Sequence, residues 1–551
     1  MSAVLPARLS TVKLKTRPSA PVIQPVAAKV APTKPAAIGG VSSARSVGSD
    51  APGYAQVIEN GFPTQTGIRP RGGARRQATT GTRAVQSMMA YQGGALKSLW
   101  AVANGGIFDV TSPASPTSTL TATVTGKTNS FYVSANFATV GGNYMLGVNG
   151  SDLHMVFDGT TWAANSPAIT GKTSDNFNFV WAYASRLWFI QKNSLSVWYL
   201  PTDSIGGAVT ELSLKGIFPK GGSLVFGATW SNDTGGGLSE KIVFVTSEGE
   251  VAVYQGVDPS SSATWSRVGT YGIGKPLGRK SFTNIGGDLI VETVDGIVTL
   301  SLAATKDPGS LSISAVTKEV NPAWKSLAAS YRNQEWSLVK WPEKNMLLAA
   351  YAGTFTTTGG TTDVIDNPGT AYPANLETGA WASSYTGWDV QCSQYFNGKV
   401  YFGSANGRVY EAESGGSDDG TAYIFKYLEW PDDFGDPGVK QFLQCRTTFT
   451  YSQPFIAQVT ISTDYMVQWP TAPSAAANST TGGFWDLGGF WDTGGTWDAT
   501  LARTVEHQWR SLGRTGYEGA IQIQMTFNNT TAPDVEIVSN TVTYRPGAVV
   551  A

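Results

Sequence analysis

The sequence predicts an all-β protein: a β-propeller of about seven blades, an antiparallel β-sandwich-like platform domain after it and an extended arm before it. Three observations carry this expectation. A strand–turn–strand unit recurs seven times between residues 91 and 415. Aromatic residues and glycine are abundant (18 Trp, 21 Tyr, 23 Phe, 63 Gly) while charged residues are only 14%, which suits a turn-rich β-protein with a Ser, Thr, Asn and Gly surface. Beyond residue 415 the short units give way to longer strand-like runs.

Residues 1–50 form a Pro-, Ala- and Ser-rich arm with seven Lys or Arg and one acid. Such a composition cannot bury a core. It reads as a disordered tail in isolation, or as an extended arm that orders against a neighbouring subunit. The net charge of the chain is −1, so residues 51–551 carry −7 and a basic arm precedes a mildly acidic body. That balance argues against a dedicated nucleic-acid binder. The opening residues lack the apolar core of a secretory signal, and no window has 18 continuous apolar residues, so neither export nor a membrane anchor is expected.

Residues 51–90 hold a short strand-like run, Ala55–Ile58, then turn chemistry at Asn60-Gly61 and Gly72-Gly73. They are assigned with the platform. The repeat follows in residues 91–415. Its copies are Leu99–Thr111, Tyr144–Asp158, Arg186–Pro201, Lys241–Gln255, Asp288–Ser301, a weaker Trp336–Tyr351, and Lys399–Glu411. Each alternates apolar residues across an Asn-, Asp- or Gly-containing turn, the pattern of a hairpin. Spacings of roughly 40–60 residues are those of propeller blades, of which one hairpin is half. Several unrelated β-domains with ordinary hairpins are the competing arrangement. Residues 416–551 read as the platform, interrupted by a Trp-rich insertion at 481–499. There Trp485, Trp491 and Trp497 repeat at a six-residue step. They are either a loop folded back on its own domain or a docking loop whose aromatic side chains anchor a partner.

Catalytic signals are sparse. The two histidines, His154 and His507, read as strand residues, and without a third histidine or a cysteine cluster nothing supports a zinc site. Cys392 and Cys445 read as buried thiols rather than a disulfide framework. No nucleophile elbow, phosphate loop, dinucleotide fingerprint or calcium loop is present. No cofactor, metal or catalytic residue is expected. Val156–Trp162 resembles the Asp-box turn of sialidase-like propellers once, with its spacing off by one; Asp158 is expected to bond local amides and Trp162 to pack the next strand. The acidic loop Glu429, Asp432, Asp433 and Asp436 reads as a solvated turn. The basic run Arg69, Arg71, Arg75, Arg76 and Arg83 is either solvated or a set of contacts to acidic groups on a partner.

The stretch ENGFPTQTGIRPRGGARRQATT, residues 59–80, resembles an N-terminal signature of the tail nozzle, or tail-tube, proteins of short-tailed bacteriophages (podoviruses), in which it precedes propeller repeats. The likeness continues through Leu99–Thr111, Tyr144–Trp162 and Arg186–Pro201, and covers about residues 55–420. It implies a structural virion protein located in the tail, a hexameric ring below the portal and head–tail adaptor proteins. Tail fibre, spike or needle proteins are further partners, and viral DNA would pass through the lumen without specific binding. Arg69, Arg71, Arg75, Arg76, Trp485, Trp491 and Trp497 are the candidate partner-interface residues. The alternative is a carbohydrate-binding or carbohydrate-cleaving propeller of the tailspike kind.

Overall fold

The computed structural model describes residues 27–46, 48, 51, 53–231, 240–306, 310–311, 315–476 and 503–547. Seven antiparallel sheets built from residues 75–411 are the blades of a β-propeller. Blade 1 is Val85–Gly93, Leu96–Ala103 and Gly106–Asp109. Blade 2 is Val133–Thr139, Gly142–Val148, Met155–Phe157 and Trp162–Ala164. Blade 3 is Phe177–Tyr183, Arg186–Gln191, Ser196–Tyr199 and Thr210–Ser213. Blade 4 is Leu224–Trp230, Lys241–Thr246, Glu250–Gln255 and Ser266–Gly272. Blade 5 is Phe282–Ile285, Asp288–Thr293 and Gly296–Thr299, followed by helices Leu300–Thr305 and Asn321–Ser330 where a fourth strand would stand. Blade 6 is Trp336–Trp341, Met346–Tyr351 and Thr370–Asn375. Blade 7 is Cys392–Phe396, Lys399–Gly403 and Arg408–Glu411, and its fourth strand is Arg75–Thr79.

That last pairing closes the wheel. Cys392–Phe396 lies against both Trp336–Trp341 and Val85–Gly93, so the innermost strands of the last and first blades meet. The predicted hairpins are the second and third strands of six blades. In blade 6 the hairpin Trp336–Tyr351 is instead the first and second strands, shifted one place inward. Tight turns are made by residues that tolerate left-handed backbone: Asn104, Asn193 and Asn397 have φ of 48°, 53° and 49°.

The blades hold together by packing sheet on sheet. All six residues of Met346–Tyr351 are buried. Trp188 has no exposed surface and stacks on Trp265 at 5.6 Å between ring centres, with Tyr199 at 5.0 Å. Truncating such a ring to alanine costs about 3–5 kcal/mol, because the transfer and cavity penalties add.

The C-terminal domain is two antiparallel sheets. One orders Thr504–Gly516, Lys440–Tyr451, Val535–Pro546, Ile68–Pro70 and Gly61–Pro63; the other orders Ala55–Glu59, Tyr423–Glu429, Gly519–Phe527 and Ala457–Thr463. Phe425, Phe442, Phe449, Ile521, Ile523 and Ile537 fill the space between them with no exposed surface.

Two corrections to the sequence reading follow. Residues 51–90 do not all join the C-terminal domain: Ala55–Pro70 does, Arg75–Thr79 completes blade 7, and Val85–Gly93 begins blade 1. The chain crosses between bodies at Gly72-Gly73, where a Cβ on Gly73 would meet the Ser417 carbonyl oxygen at 2.1 Å. The arm is also not uniformly extended away from its own chain. Lys29–Val30 and Lys34–Pro35 add to Val535–Pro546. Lys29 pairs with Asp436 at 3.1 Å and Lys34 pairs with Asp432, so part of the acidic loop is neutralised by the arm rather than merely solvated. Residues 1–26 lie outside the described residues. No helix among the described residues is long and apolar enough to cross a membrane.

Candidate functional site

The basic run meets an equally dense acidic run. Residues 69–76 lie beside residues 411–419, the link from blade 7 to the sandwich. Arg69 pairs with Glu413 at 2.9 Å, Arg71 with Asp418 at 2.6 Å, Arg75 with Glu411 at 2.6 Å, and Arg76 with Asp419.

Arg71 is the centre of this junction, and its side chain is fully buried. Its five N–H donors all have acceptors. Nε donates to Asn60 Oδ1 at 2.8 Å; Nη1 donates to Gly72 O at 2.9 Å and Asp418 Oδ1 at 2.8 Å; Nη2 donates to Thr386 O at 2.9 Å and Asp418 Oδ2 at 2.6 Å. The guanidinium lies 4.0 Å from the Tyr423 ring centre and 5.0 Å from that of Trp388. A planar fork that is satisfied at every donor and faces aromatic rings is the environment in which arginine can be buried. Asn60 positions it from a left-handed backbone (φ 55°), while its amide donates to Thr386 Oγ1 and Ile424 O. One knot thus joins the N-terminal turn, the blade 6–blade 7 connection and the sandwich.

Glu413 is the second centre. Burial alone would raise its carboxyl, but Arg69 and Lys344, with the Tyr385 hydroxyl donating at 2.7 Å, outweigh that and hold it down at about 2. Glu411 is shared by Arg75 and by Lys399 at 3.0 Å. Between blade 7 and the sandwich lies a cleft of about 480 Å³ whose walls carry both signs of charge, including Arg76, Arg408, Asp389, Asp419 and Lys426.

Of the predicted interface residues, the structure therefore brings the four arginines together, but against the chain's own carboxylates. Arg71 has no surface to present to a partner, which corrects its assignment as a contact residue; Arg75, at 60% side-chain exposure, retains some. Trp485, Trp491 and Trp497 lie outside the described residues. The residues that sequence reading missed are Glu411, Glu413, Asp418, Asp419 and Asn60. The available signal was the complementary charge of two short Gly-containing segments, 69–76 and 411–419.

The remaining candidates make local contacts. His154 is buried just before its strand, with Nδ1 2.8 Å from Ser174 Oγ and Nε2 3.2 Å from Pro167 O. His507 is exposed, 3.2 Å from Thr448 Oγ1. Asp158 Oδ1 accepts from Thr160 N at 2.8 Å and Thr161 N at 2.7 Å, bonds that lower its carboxyl to about 2. Trp162 packs against Trp100 and Phe157. Burial raises the Cys392 thiol to about 11 and the Cys445 thiol to about 12, so both are protonated at neutral pH. Among the described residues no group of three or more His, Cys, Asp or Glu is placed to hold a metal ion.

The fold and this junction define the chain as a seven-bladed β-propeller welded to a β-sandwich. No family model matches it, and no curated protein matches it. Solved structures that it is similar to include propeller domains. YCF48 from Cyanidioschyzon merolae is 11% identical, with 62% of this chain and 98% of that one covered at a TM-score of 0.37. The WD40 β-propeller domain of Doa1 is 10% identical, with 62% and 97% covered at 0.36. The β-propeller domain of Myceliophteria thermophila Cps50 (Swd1) is 11% identical, with 62% and 98% covered at 0.36. At these identities the likeness concerns the fold and not what the chain does.

Proposed function

We propose that the chain is a non-catalytic structural subunit of a short-tailed phage tail: the nozzle ring that extends the DNA conduit below the portal and adaptor. One observation carries the reading. The stretch 59–80, on which the resemblance to nozzle proteins rests, is also the stretch that closes the propeller through Arg75–Thr79 and locks it to the sandwich through Arg71. A subunit that must hold its place in a stack needs its two bodies fixed relative to each other, and a fully bonded buried guanidinium does that more stiffly than exposed ion pairs could. The charge balance is compatible as well. A duct should let phosphates slide rather than hold them, and residues 51–551 carry a net −7.

Negative-stain imaging of the purified chain, alone and mixed with a head–tail adaptor protein of a short-tailed phage, tests the proposal. Six-fold rings with a central hole are expected. A particle that stays monomeric under both conditions would end it. A glycan array and a polysaccharide depolymerase assay on the same preparation test the carbohydrate alternative, for which sugar binding or sugar release is the required result.

A further inference from the structure

Innermost strands of the propeller line an open axial cavity of about 460 Å³, within the roughly 300–1,000 Å³ of small-ligand sites. Blades 2, 3, 5, 6 and 7 contribute its walls. Its charge is one-sided: none of the seven innermost strands contains an Asp or Glu, whereas Lys280 and Lys340 both line the space.

Lys280 precedes the first strand of blade 5, and its backbone carbonyl accepts from Leu338 N at 3.0 Å. Its ammonium reaches to blade 1, where the contact with Met88 O is 3.4 Å, a long hydrogen bond, and stands 5.6 Å from the Phe131 ring centre. The neighbouring Arg279 is compensated by Glu335 at 3.0 Å. Neither Lys280 nor Lys340 has a carboxylate oxygen within 4.0 Å among the described residues. Beside them are neutral hydrogen-bonding groups: Ser337 and Ser393, whose hydroxyls are 2.7 Å apart, and Gln394. Partly burying an ammonium with no carboxylate in contact is costly. In accord with this, burial lowers the Lys280 pKa. An anion held between the lysines would supply the missing charge and charge-assisted hydrogen bonds.

We propose that the axial cavity binds a small oxyanion, a phosphate or polycarboxylate compound, through Lys280 and Lys340. This does not depend on the tail assignment, since it uses only residues at the propeller axis.

The test is calorimetric titration of the full chain with inorganic phosphate, pyrophosphate and citrate, with chloride at matched ionic strength as control. Saturable binding near one equivalent per chain is expected for at least one of the three, and not for chloride. A preference for the phosphates or for citrate identifies which oxyanion class the cavity takes. Lys280→Met and Lys340→Met should each weaken binding about tenfold, the loss of one charge-assisted contact. Lys215→Met, on an exposed lysine away from the axis, should leave it unchanged. If Lys280→Met does not fold, judged by circular dichroism, Lys340→Met and Lys340→Gln decide the matter. Absence of saturable binding by all three anions, or binding that the folded axial variants leave intact, overturns the proposal.

Discussion

Arg71 and Asp418 meet as two parallel bonds, Nη1 to Oδ1 at 2.8 Å and Nη2 to Oδ2 at 2.6 Å, at the seam between wheel and sandwich. Asp418 Oδ1 also accepts from the Ala74 amide at 3.0 Å and Trp388 Nε1 at 3.2 Å, so it serves both sides of the seam. Losing either partner strands a buried charge. Arg71→Ala should therefore lower stability by about 3–5 kcal/mol. Arg71→Lys should recover only part of that, because an ammonium cannot reproduce the fork. Urea unfolding followed by tryptophan fluorescence measures both. A variant within about 0.5 kcal/mol of the parent, the range of an ordinary surface change, would show that the seam contributes little.

Glu413 gives the junction an acid limit. Its folded pKa of about 2 lies below the ordinary value of 4.5. Its contribution is therefore present above pH 4.5 and is lost as pH falls from there toward 2. The displacement corresponds to about 3 kcal/mol. Glu413→Gln should be less stable than the parent at pH 7, with the difference shrinking as pH approaches 2. Melting temperatures across that window read it directly, and a constant difference would contradict the assignment.

Glu292 has the opposite sign. It is fully buried in blade 5, neither carboxyl oxygen has a hydrogen-bond partner among the described residues, and burial pushes its pKa well above the usual carboxylate range. Burial thus favours its protonated form, so its stability contribution is complete below pH 4.5 and declines as pH rises toward the folded value. Glu292→Gln, which cannot ionise, should gain on the parent as the buffer moves from pH 4.5 to pH 8. Paired thermal melts over that range check it; parallel curves would refute it.

The fourth strand of blade 7 is supplied from far away in the sequence. A chain beginning at residue 84 lacks Arg75–Thr79 and leaves Arg408–Glu411 as a bare edge. Such an edge invites pairing with other chains. The truncated protein should elute as soluble aggregate in size-exclusion chromatography, while the full chain does not.

The blades were legible in the sequence because local chemistry writes them. Asn104-Gly105 and Asn397-Gly398 force tight turns between alternating runs, and those signals need no knowledge of distant residues. The inward shift in blade 6 was not legible, because Trp336–Trp341 alternates like any other strand and only its neighbours make it axial. Helix Asn321–Ser330 was missed as well: it replaces a strand and is held by Trp324, whose indole donates to Thr293 O at 2.9 Å. The junction was half legible. Five arginines within 15 residues announced charge-assisted contacts, but a charge run does not say whether its acceptors sit on another molecule or 340 residues along the same one. Asp418, 347 positions from Arg71, answers for this chain, and no local pattern encodes such a distance.

The route of the chain also constrains how it is made. The stretch from Lys29 to Thr79 supplies pieces to both bodies, yet most of these pieces wait for partners far along the chain: Ile68 for Ile537, Arg75 for Glu411. On the ribosome most of the early strands emerge before the strands they pair with, Gly61–Pro63 and Ile68–Pro70 excepted, and neither body is complete before most of the polypeptide has been synthesised. Long-range pairing of this kind slows folding and prolongs the exposure of sticky edges. Biogenesis of this molecule is thus a matter of protecting its early strands until the final quarter of the chain arrives.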